Sequence, residues 1–138
     1  MATAQDLEAK LRDYFTAHDE AEGLAAAYLF GSVARGTARP DSDVDVGVLY
    51  AGEPPPGLPG LAGHLEAALE RLLHLPVQLV VLNRAPVDLA KRVLRDGILL
   101  LDRDRSRRIR FEVRTRQEFW DLEPFLRRYR REMEETRR

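Results

Sequence analysis

The chain has 138 residues, 44% of them hydrophobic, and a formal net charge of −1, which suits one domain with its own core. It contains no cysteine, which excludes disulfides and thiolate metal sites and favours a reducing cytoplasm. No apolar stretch approaches the ~20 residues of a membrane-spanning helix, no secretory leader is expected, and the near-zero charge gives no field that would gather nucleic acid. We therefore expect a cytoplasmic protein without a membrane or nucleic-acid partner.

The N-terminal part of the chain predicts a helix, a buried strand and a tight turn. Apolar residues recur at helical spacing over residues 4–18, after a Thr3-x-x-Asp6 sequence that has the form of a capping box. The continuous apolar run from Leu24 to Phe30 predicts a strand that is buried on both faces. Ser32 to Arg35 has room for one helical turn before Gly36.

Two aspartates open the next predicted strand, which runs from Asp43 to Tyr50, antiparallel to the first because the connection is short. Side chains alternate along a strand, so Asp43 and Asp45 point one way while Val44, Val46 and Val48 point the other. Two neighbouring carboxylates repel each other unless a cation lies between them. Carboxylate oxygens are the ligands that a hard divalent cation prefers, so the pair predicts a magnesium site.

The apolar strand before these aspartates ends abruptly at Gly31-Ser32. Glycine allows the backbone to approach a ligand closely. A turn that opens into a helix directs free N–H groups at an anion. The stretch from residue 29 to residue 46 therefore combines a feature that suits phosphate with one that suits the magnesium that accompanies phosphate.

Downstream, a proline-rich loop precedes the remaining elements of the predicted sheet. Residues 51–60 form this loop, which is either a passive surface connector or a segment that moves over a bound nucleotide. The spacing of apolar residues then predicts a helix from Leu61 to before Leu75-Pro76, a strand over Val77 to Leu82, a helix over Pro86 to Arg95 and an edge strand over Ile98 to Leu101.

From Arg103 onward the composition changes to a mixture of arginine and glutamate. A narrow apolar seam predicts a helix here, with residues at positions 119, 122, 126, 129 and 133. Pro124 should kink or restart this helix. The seam either packs on the domain's own sheet or provides a surface for a second copy or another partner.

The pattern Gly31-Ser32-x-x-Arg35-Gly36 followed by Ser42-Asp43-x-Asp45 resembles the signature of the polymerase-β-like nucleotidyltransferases. Within them it is most similar to the minimal nucleotidyltransferases, which are often paired with HEPN-domain toxins. The resemblance implies an α/β (α+β) fold, with a mixed, mostly antiparallel sheet of about four strands flanked by helices. It extends in element order over residues 1–102, the expected nucleotidyltransferase domain, and leaves residues 103–138 as a helical extension of the same domain.

The resemblance also implies roles for individual residues. Asp43 and Asp45 would bind Mg²⁺ and act in catalysis, while Gly31, Ser32 and Ser42 of the motif would bind the nucleotide. Arg35 either neutralises phosphate or anchors the turn, and we favour the anchor slightly.

Family members carry a third carboxylate on the next strand, where this chain has Gln78. An amide oxygen can ligate a metal weakly but cannot accept a proton at neutral pH. Gln78 amid apolar neighbours still indicates a strand position that faces the site, on the reasoning that a buried amide needs partners. Asp88 is a possible substitute, although negative charge in the first turn of a helix has its own explanation.

The resemblance therefore implies a Mg²⁺-dependent enzyme that transfers a nucleoside monophosphate, AMP from ATP, to a hydroxyl, namely a tyrosine of a HEPN-domain toxin, with this protein as the antitoxin. One alternative is a module that binds nucleotide and Mg²⁺, has lost turnover with the third carboxylate, and acts by docking its partner. Another is a transferase for small molecules. The histidines His18, His64 and His74 have no ligand spacing, and we predict no zinc site.

Overall fold

The computed structural model describes residues 3–17, 23–54 and 61–136. These residues form one four-stranded sheet with five α-helices, and a single 3₁₀ turn, Leu82–Arg84, follows the third strand. In chain order the elements are α1 Ala4–Ala17, β1 Leu24–Phe30, α2 Gly31–Arg35, β2 Val44–Tyr50, α3 Leu61–Leu73, β3 Val77–Val81, α4 Val87–Asp96, β4 Ile98–Asp102 and α5 Arg105–Thr136.

The strand order across the sheet is β3-β2-β1-β4. β1 pairs antiparallel with both β2 and β4, whereas β2 and β3 run parallel. The parallel pair is connected through α3, as a parallel connection requires a crossover. The predicted mixed, mostly antiparallel sheet of four strands and the edge position of the last strand are therefore confirmed.

Both faces of the sheet are covered, which explains why β1 is apolar throughout its length. All seven residues of β1 are buried. On one face α1 and α3 pack against Val44, Val46 and Val48, and on the other face α4 and α5 pack against Tyr28 and Leu49. The alternation along β2 thus places the valines in one core and leaves Asp45 on the face that α4 covers.

Local sequence signals account for several element ends. The capping box predicted for α1 is present, since the Asp6 N–H donates to Thr3 Oγ1 (3.1 Å) and the Thr3 N–H donates to Asp6 Oδ2 (3.0 Å). The hydrogen bond from the Thr3 N–H, followed by one from the Thr3 side chain, lowers the pKa of the Asp6 carboxyl. The last predicted residue of this helix, His18, and positions 55–60 of the proline-rich loop lie outside the described residues.

Polar contacts fasten the first turns of α5 to the sheet. The Tyr28 hydroxyl donates to Glu112 Oε1 (2.7 Å). Arg108 pairs with Asp102 (2.9 Å) and with Glu112 (3.0 Å), so it joins the end of β4 to the helix. Burial, followed by the bond to Glu112, raises the pKa of the Tyr28 phenol.

The far part of α5 leaves the sheet, so the apolar seam does not pack on the domain along its whole length. Phe111 and Thr115 are buried, but Leu122, Tyr129 and Met133 are exposed. Of the kink or restart predicted at Pro124, the restart is wrong, because α5 continues as one helix through Pro124. Here water can hydrate the carbonyl that proline leaves unpaired, since the preceding turn is solvent-exposed, with Trp120 at 75%.

Within residues 3–17, 23–54 and 61–136, no helix combines the length and the apolarity that crossing a bilayer requires.

Candidate active site

The end of β1 and the start of α2 form a sharp turn at Gly31. Gly31 has a φ of +77°, in the left-handed region that favours glycine. The one-turn helix that begins there ends at Gly36, which has a φ of +76°, and the Thr37 N–H donates to the Ser32 carbonyl (2.9 Å). The turn therefore places Ser32 in the first residues of α2, at the edge of the sheet where β1 ends.

Asp45 lies directly beside this turn. In the sheet it is paired with Phe30 of β1 on one side and with Gln78 of β3 on the other. A β-carbon on Gly31 would clash with the Asp45 carboxylate and would stand only 3.0 Å from its Cγ. Only glycine fits at this position, because both the backbone conformation and the neighbouring carboxylate exclude a side chain.

The second aspartate, Asp43, immediately precedes β2 and is exposed. Burial raises the pKa of the Asp45 carboxyl, the charge of Asp43 raises it further, and Arg35 lowers it. Asp45 is therefore ionised at a cost in free energy in the folded protein, and part of that cost comes from the charge of Asp43. Such a pair is complementary to a divalent cation, whose charge would remove that cost.

One cavity of about 410 Å³ collects most of the predicted site residues. It is lined by Gly31, Ser32, Arg35, Asp45 and Gln78, which come from three separate elements of the fold. The remaining lining residues are Phe30, Val80, Leu89, Arg92 and Asp96. The turn and the carboxylate strand therefore meet at one pocket, which is large enough to hold part of a small-molecule ligand.

Arg35 is held in place by an ion pair across the cavity wall. Its Nη1 lies 3.2 Å from Oδ2 of Asp96, in the last turn of α4. The Asp96 carboxyl also accepts hydrogen bonds from Arg95, and these arginines lower its pKa. This contact agrees with the interpretation that Arg35 anchors the turn, in this case to α4.

Two predicted site residues, Asp43 and Ser42, are not among the lining residues of this cavity. Ser42 is held in a local turn with Arg39. Its hydroxyl accepts a hydrogen bond from the Arg39 N–H (2.8 Å), and its own N–H donates to the Arg39 carbonyl (3.0 Å). It lines a different cavity of about 470 Å³, together with Arg39, Pro40 and His74, whose lining residues include no carboxylate. Nucleotide binding by Ser42 stays a prediction.

Gln78 lines the cavity, as predicted, but its amide is not buried as the sequence suggested. Its side chain is exposed, whereas the neighbouring Val77 is buried. The amide therefore needs no buried partner, and its position follows from the register with Asp45 instead. The described residues contain no group of three or more histidines or carboxylates that could hold a metal. Asp88 lies in the first turn of α4 and does not line this cavity.

Sequence reasoning missed the contribution of α4 to the cavity. Leu89, Arg92 and Asp96 recur at intervals of three and four residues, and therefore share one face of the helix. That spacing was available in the sequence. What it does not reveal is that this face turns towards Asp45, because that depends on how α4 packs over β1 and against α2.

Comparison with known proteins gives the family of this arrangement. A family model described as polymerase beta, nucleotidyltransferase matches residues 9–106. The chain belongs to the polymerase β nucleotidyltransferases. The predicted family and the predicted fold class are confirmed, and the matched region extends from α1 to the first residues of α5.

A curated relative of this nucleotidyltransferase is the protein adenylyltransferase MntA of Thermococcus cleftensis. The two are 38% identical over 98 residues, which cover 71% of this chain and 96% of the relative. A crystal structure of a toxin–antitoxin with AMP-PNP contains a chain that is 26% identical, with a TM-score of 0.76, covering 91% of this chain and 97% of the other.

A third match is a rebuilt and re-refined structure of a tri-AMPylated Shewanella oneidensis HEPN toxin in complex with an MNT antitoxin. Its TM-score is 0.71 over 95% of this nucleotidyltransferase and 98% of the matched chain. At 24% identity this likeness establishes the fold alone.

Proposed function

We propose that this nucleotidyltransferase transfers AMP from ATP to a hydroxyl group, with Mg²⁺ as its cofactor. The observation that carries the proposal is the cavity in which the Gly31-Ser32 turn and the carboxylate of Asp45 meet. Membership of the family supplies the reaction class. The name of the Thermococcus relative, a protein adenylyltransferase, supports AMP as the transferred group.

The donor set fits Mg²⁺ by its chemistry. Asp43 and Asp45 offer carboxylate oxygens, the type of ligand that Mg²⁺ prefers, and burial together with the charge of Asp43 raises the pKa of Asp45. Gln78 offers a neutral amide oxygen next to Asp45 in the sheet. When bound, Mg²⁺ would neutralise the charge of the triphosphate and make its α-phosphorus a better electrophile.

The chain's own residues then have three tasks. Asp43 and Asp45 would hold the Mg²⁺, and Ser32 would donate a hydrogen bond to a phosphate oxygen of the nucleotide. Gly31 keeps the backbone close to both groups. Holding the acceptor hydroxyl in line with the α-phosphorus supplies much of the rate acceleration in this kind of transfer.

The balance of the step is simple. A bond forms between the acceptor oxygen and the α-phosphorus, while the bond to the bridging oxygen of the β-phosphate breaks and pyrophosphate leaves with the electron pair. The proton of the acceptor hydroxyl is released to water, because the Gln78 amide, which stands where the family has a carboxylate, cannot accept it at neutral pH.

We further propose that the acceptor is a tyrosine of a HEPN-domain toxin and that this protein acts as the antitoxin. The support is the character of the matched structures, one of which contains an AMPylated HEPN toxin in complex with an MNT antitoxin. AMP attached to a tyrosine hydroxyl adds bulk and negative charge at the modified site, and such a change can block the function of the modified protein.

The test is to incubate the protein with ATP, Mg²⁺ and the HEPN-domain protein encoded beside it, and to measure the intact mass of that partner. We expect an increase equal to one or more AMP groups, lost with Asp43→Asn and with Asp45→Asn. Glu118→Gln, a charge-neutralising change on exposed α5, is the matched control and should retain transfer. An unmodified partner under these conditions would overturn the proposal.

A second candidate function rests on Gln78. Because a neutral amide is paired with Asp45 in place of a carboxylate, the site can retain nucleotide and Mg²⁺ without efficient turnover, and the protein would neutralise its partner by docking. This function predicts calorimetric binding of ATP with Mg²⁺ and a stable complex with an unmodified partner. Detection of the AMP adduct at a stoichiometric level would exclude it.

A further inference from the structure

The charged residues that line the cavity leave one charge of each sign uncompensated. Four of its lining residues are charged, and two of them, Arg35 and Asp96, form an ion pair with each other. Asp45 and Arg92 form no ion pair with any other described residue. Asp45 is accounted for by the proposed metal, whereas Arg92 has no assigned role.

The folding of α4 does not explain Arg92. Of the three cations on this helix, Lys91 lies over the ring of Phe119, 5.7 Å from its centroid. Arg95 binds the Asp96 carboxyl through Nε and Nη2, both at 3.0 Å. Arg92 is exposed, and neither an ion pair nor a ring contact holds it to another described residue, yet it is the cation of the three that lines the cavity.

The ligand proposed for this cavity carries a charge of each sign, one to compensate Asp45 and one to compensate Arg92. In ATP with bound Mg²⁺ the metal is positive and suits Asp43 and Asp45. The triphosphate carries more negative charge than one divalent cation neutralises, and the Ser32 hydroxyl adds no charge. An arginine fork can contact two phosphate oxygens at once, which makes it a strong phosphate ligand.

We propose that Arg92 binds the β- and γ-phosphates of the nucleotide. This inference rests on the proposed function, because it places the same nucleotide in the same cavity. The electrostatic attraction of the guanidinium is strongest at the β- and γ-phosphates, which carry most of the negative charge of the nucleotide. The same contact stabilises the pyrophosphate as it departs. Arg92 thereby selects a nucleoside triphosphate over a monophosphate.

The experiment compares ATP with AMP as competitors of a fluorescent ATP analogue, in the presence of Mg²⁺. Arg92→Met should weaken ATP binding by about 10- to 100-fold, the loss expected for a charged hydrogen-bonding pair. It should change AMP binding by no more than about twofold, because AMP lacks the phosphates that Arg92 would contact. Arg92→Lys should recover part of the affinity, because it restores the charge without the fork. Arg95→Met, one turn along the same helix and outside the cavity lining, is the matched control and should bind ATP like the wild type.

The possible outcomes separate the two proposals. Equal ATP affinity for Arg92→Met and Arg95→Met would overturn the role of Arg92. The same would follow if ATP and AMP were weakened by the same factor. A wild-type protein that fails to bind ATP would overturn the proposed function together with this inference. A selective loss of ATP binding in Arg92→Met, without AMP transfer by the wild type, would support the role of Arg92 and overturn only the transfer. Thermal unfolding of each variant verifies that these exposed substitutions leave the fold intact.

Discussion

Gly31 and Asp45 are in such close contact that the Asp45 carboxylate leaves no room for a β-carbon on Gly31. This contact joins the half of the motif that we propose to bind phosphate to the half that we propose to bind metal, although the two residues are 14 positions apart along the chain. It arises because Phe30, the last residue of β1, is paired with Asp45 in the antiparallel sheet. The sheet register therefore fixes the geometry of the site.

The first prediction concerns this contact. Gly31→Ala should destabilise the protein by about 3 kcal/mol or more, because it adds an overlap with Asp45 to a left-handed backbone conformation. It should also weaken the binding of ATP with Mg²⁺ at least about tenfold, since the carboxylate must move. Thermal unfolding and calorimetry provide the two measurements.

Gly36→Ala is the control for that substitution. Gly36 has nearly the same φ, +76°, but a β-carbon there would meet no atom within 4 Å. Its cost should be about 1 kcal/mol, from backbone strain alone, with binding retained. Equal losses for the two variants would show that the contact with Asp45 is not what requires glycine at position 31.

The second prediction concerns the charge of Asp45. Because its folded pKa is raised, the folded state holds the proton more tightly than the unfolded state. Ionised Asp45 therefore lowers the stability above its folded pKa, and this loss disappears as the pH falls below the unfolded value of about 3.9. In EDTA at pH 7, Asp45→Asn should raise the Tm, and the rise should shrink at about pH 4.

In the presence of Mg²⁺ the wild type should have a higher Tm than Asp45→Asn, the reverse of their order in EDTA. Mg²⁺ should raise the Tm of the wild type by binding only the folded state, and should leave Asp45→Asn almost unchanged. An equal response of both proteins to Mg²⁺ would mean that the metal does not bind at Asp45.

The third prediction concerns the amide next to Asp45. Gln78→Asp places a third carboxylate in register with Asp45. In EDTA it should lower the stability by about 0.2–1 kcal/mol, the cost of like charges paired across strands, which corresponds to about 1–3 °C in Tm. Mg²⁺ should restore the loss and increase the rate of AMP transfer, because a carboxylate can both ligate the metal and accept a proton.

Gln78→Ala, which removes the amide without adding charge, is the control for Gln78→Asp. A Tm that falls equally in both variants, with no recovery in Mg²⁺, would contradict the assignment of this strand position to the metal site.

The fourth prediction concerns the free part of α5. Phe125 and Tyr129 are 63% and 61% exposed, whereas Phe111 on the same helix is 5% exposed. The double substitution Phe125→Glu with Tyr129→Glu should change the stability by no more than about 1 kcal/mol, about 0.5 kcal/mol per site, whereas Phe111→Ala should cost about 3–5 kcal/mol. Chemical denaturation at low protein concentration measures both.

A loss for the double variant as large as that for Phe111→Ala would show that this face is packed in solution, for instance against a second copy, which is one of the alternatives left open for the seam. Repeating the denaturation at several protein concentrations would separate packing between copies from packing within one chain.

Much of the fold could be predicted because each element has its own local signal. Residues close together in the sequence determine these elements: the continuous apolar run forms β1, the capping box starts α1, and glycines stand at the two ends of α2. The lining of the candidate site was predictable at Gly31 and Ser32, which lie on α2, and at Asp45, which lies on β2.

The remaining features depend on packing between distant parts of the chain. The cavity wall formed by α4 follows from the way this helix lies over β1, so the position of Arg92 in the cavity lining is not evident from its neighbours in sequence. Ser42 is drawn into a turn with Arg39 by local hydrogen bonds. The apolar seam of α5 has the same spacing whether a sheet covers it or not, and the sequence could not determine where α5 leaves the domain.

The most direct test of the central claim is a crystal structure of the protein with Mg²⁺ and a non-hydrolysable ATP analogue. We expect a metal ion on the carboxylates of Asp43 and Asp45, with the triphosphate against Ser32 in the cavity that Asp45 lines. A nucleotide bound elsewhere, such as in the cavity beside Ser42 and His74, or a metal that contacts neither aspartate, would contradict the central claim.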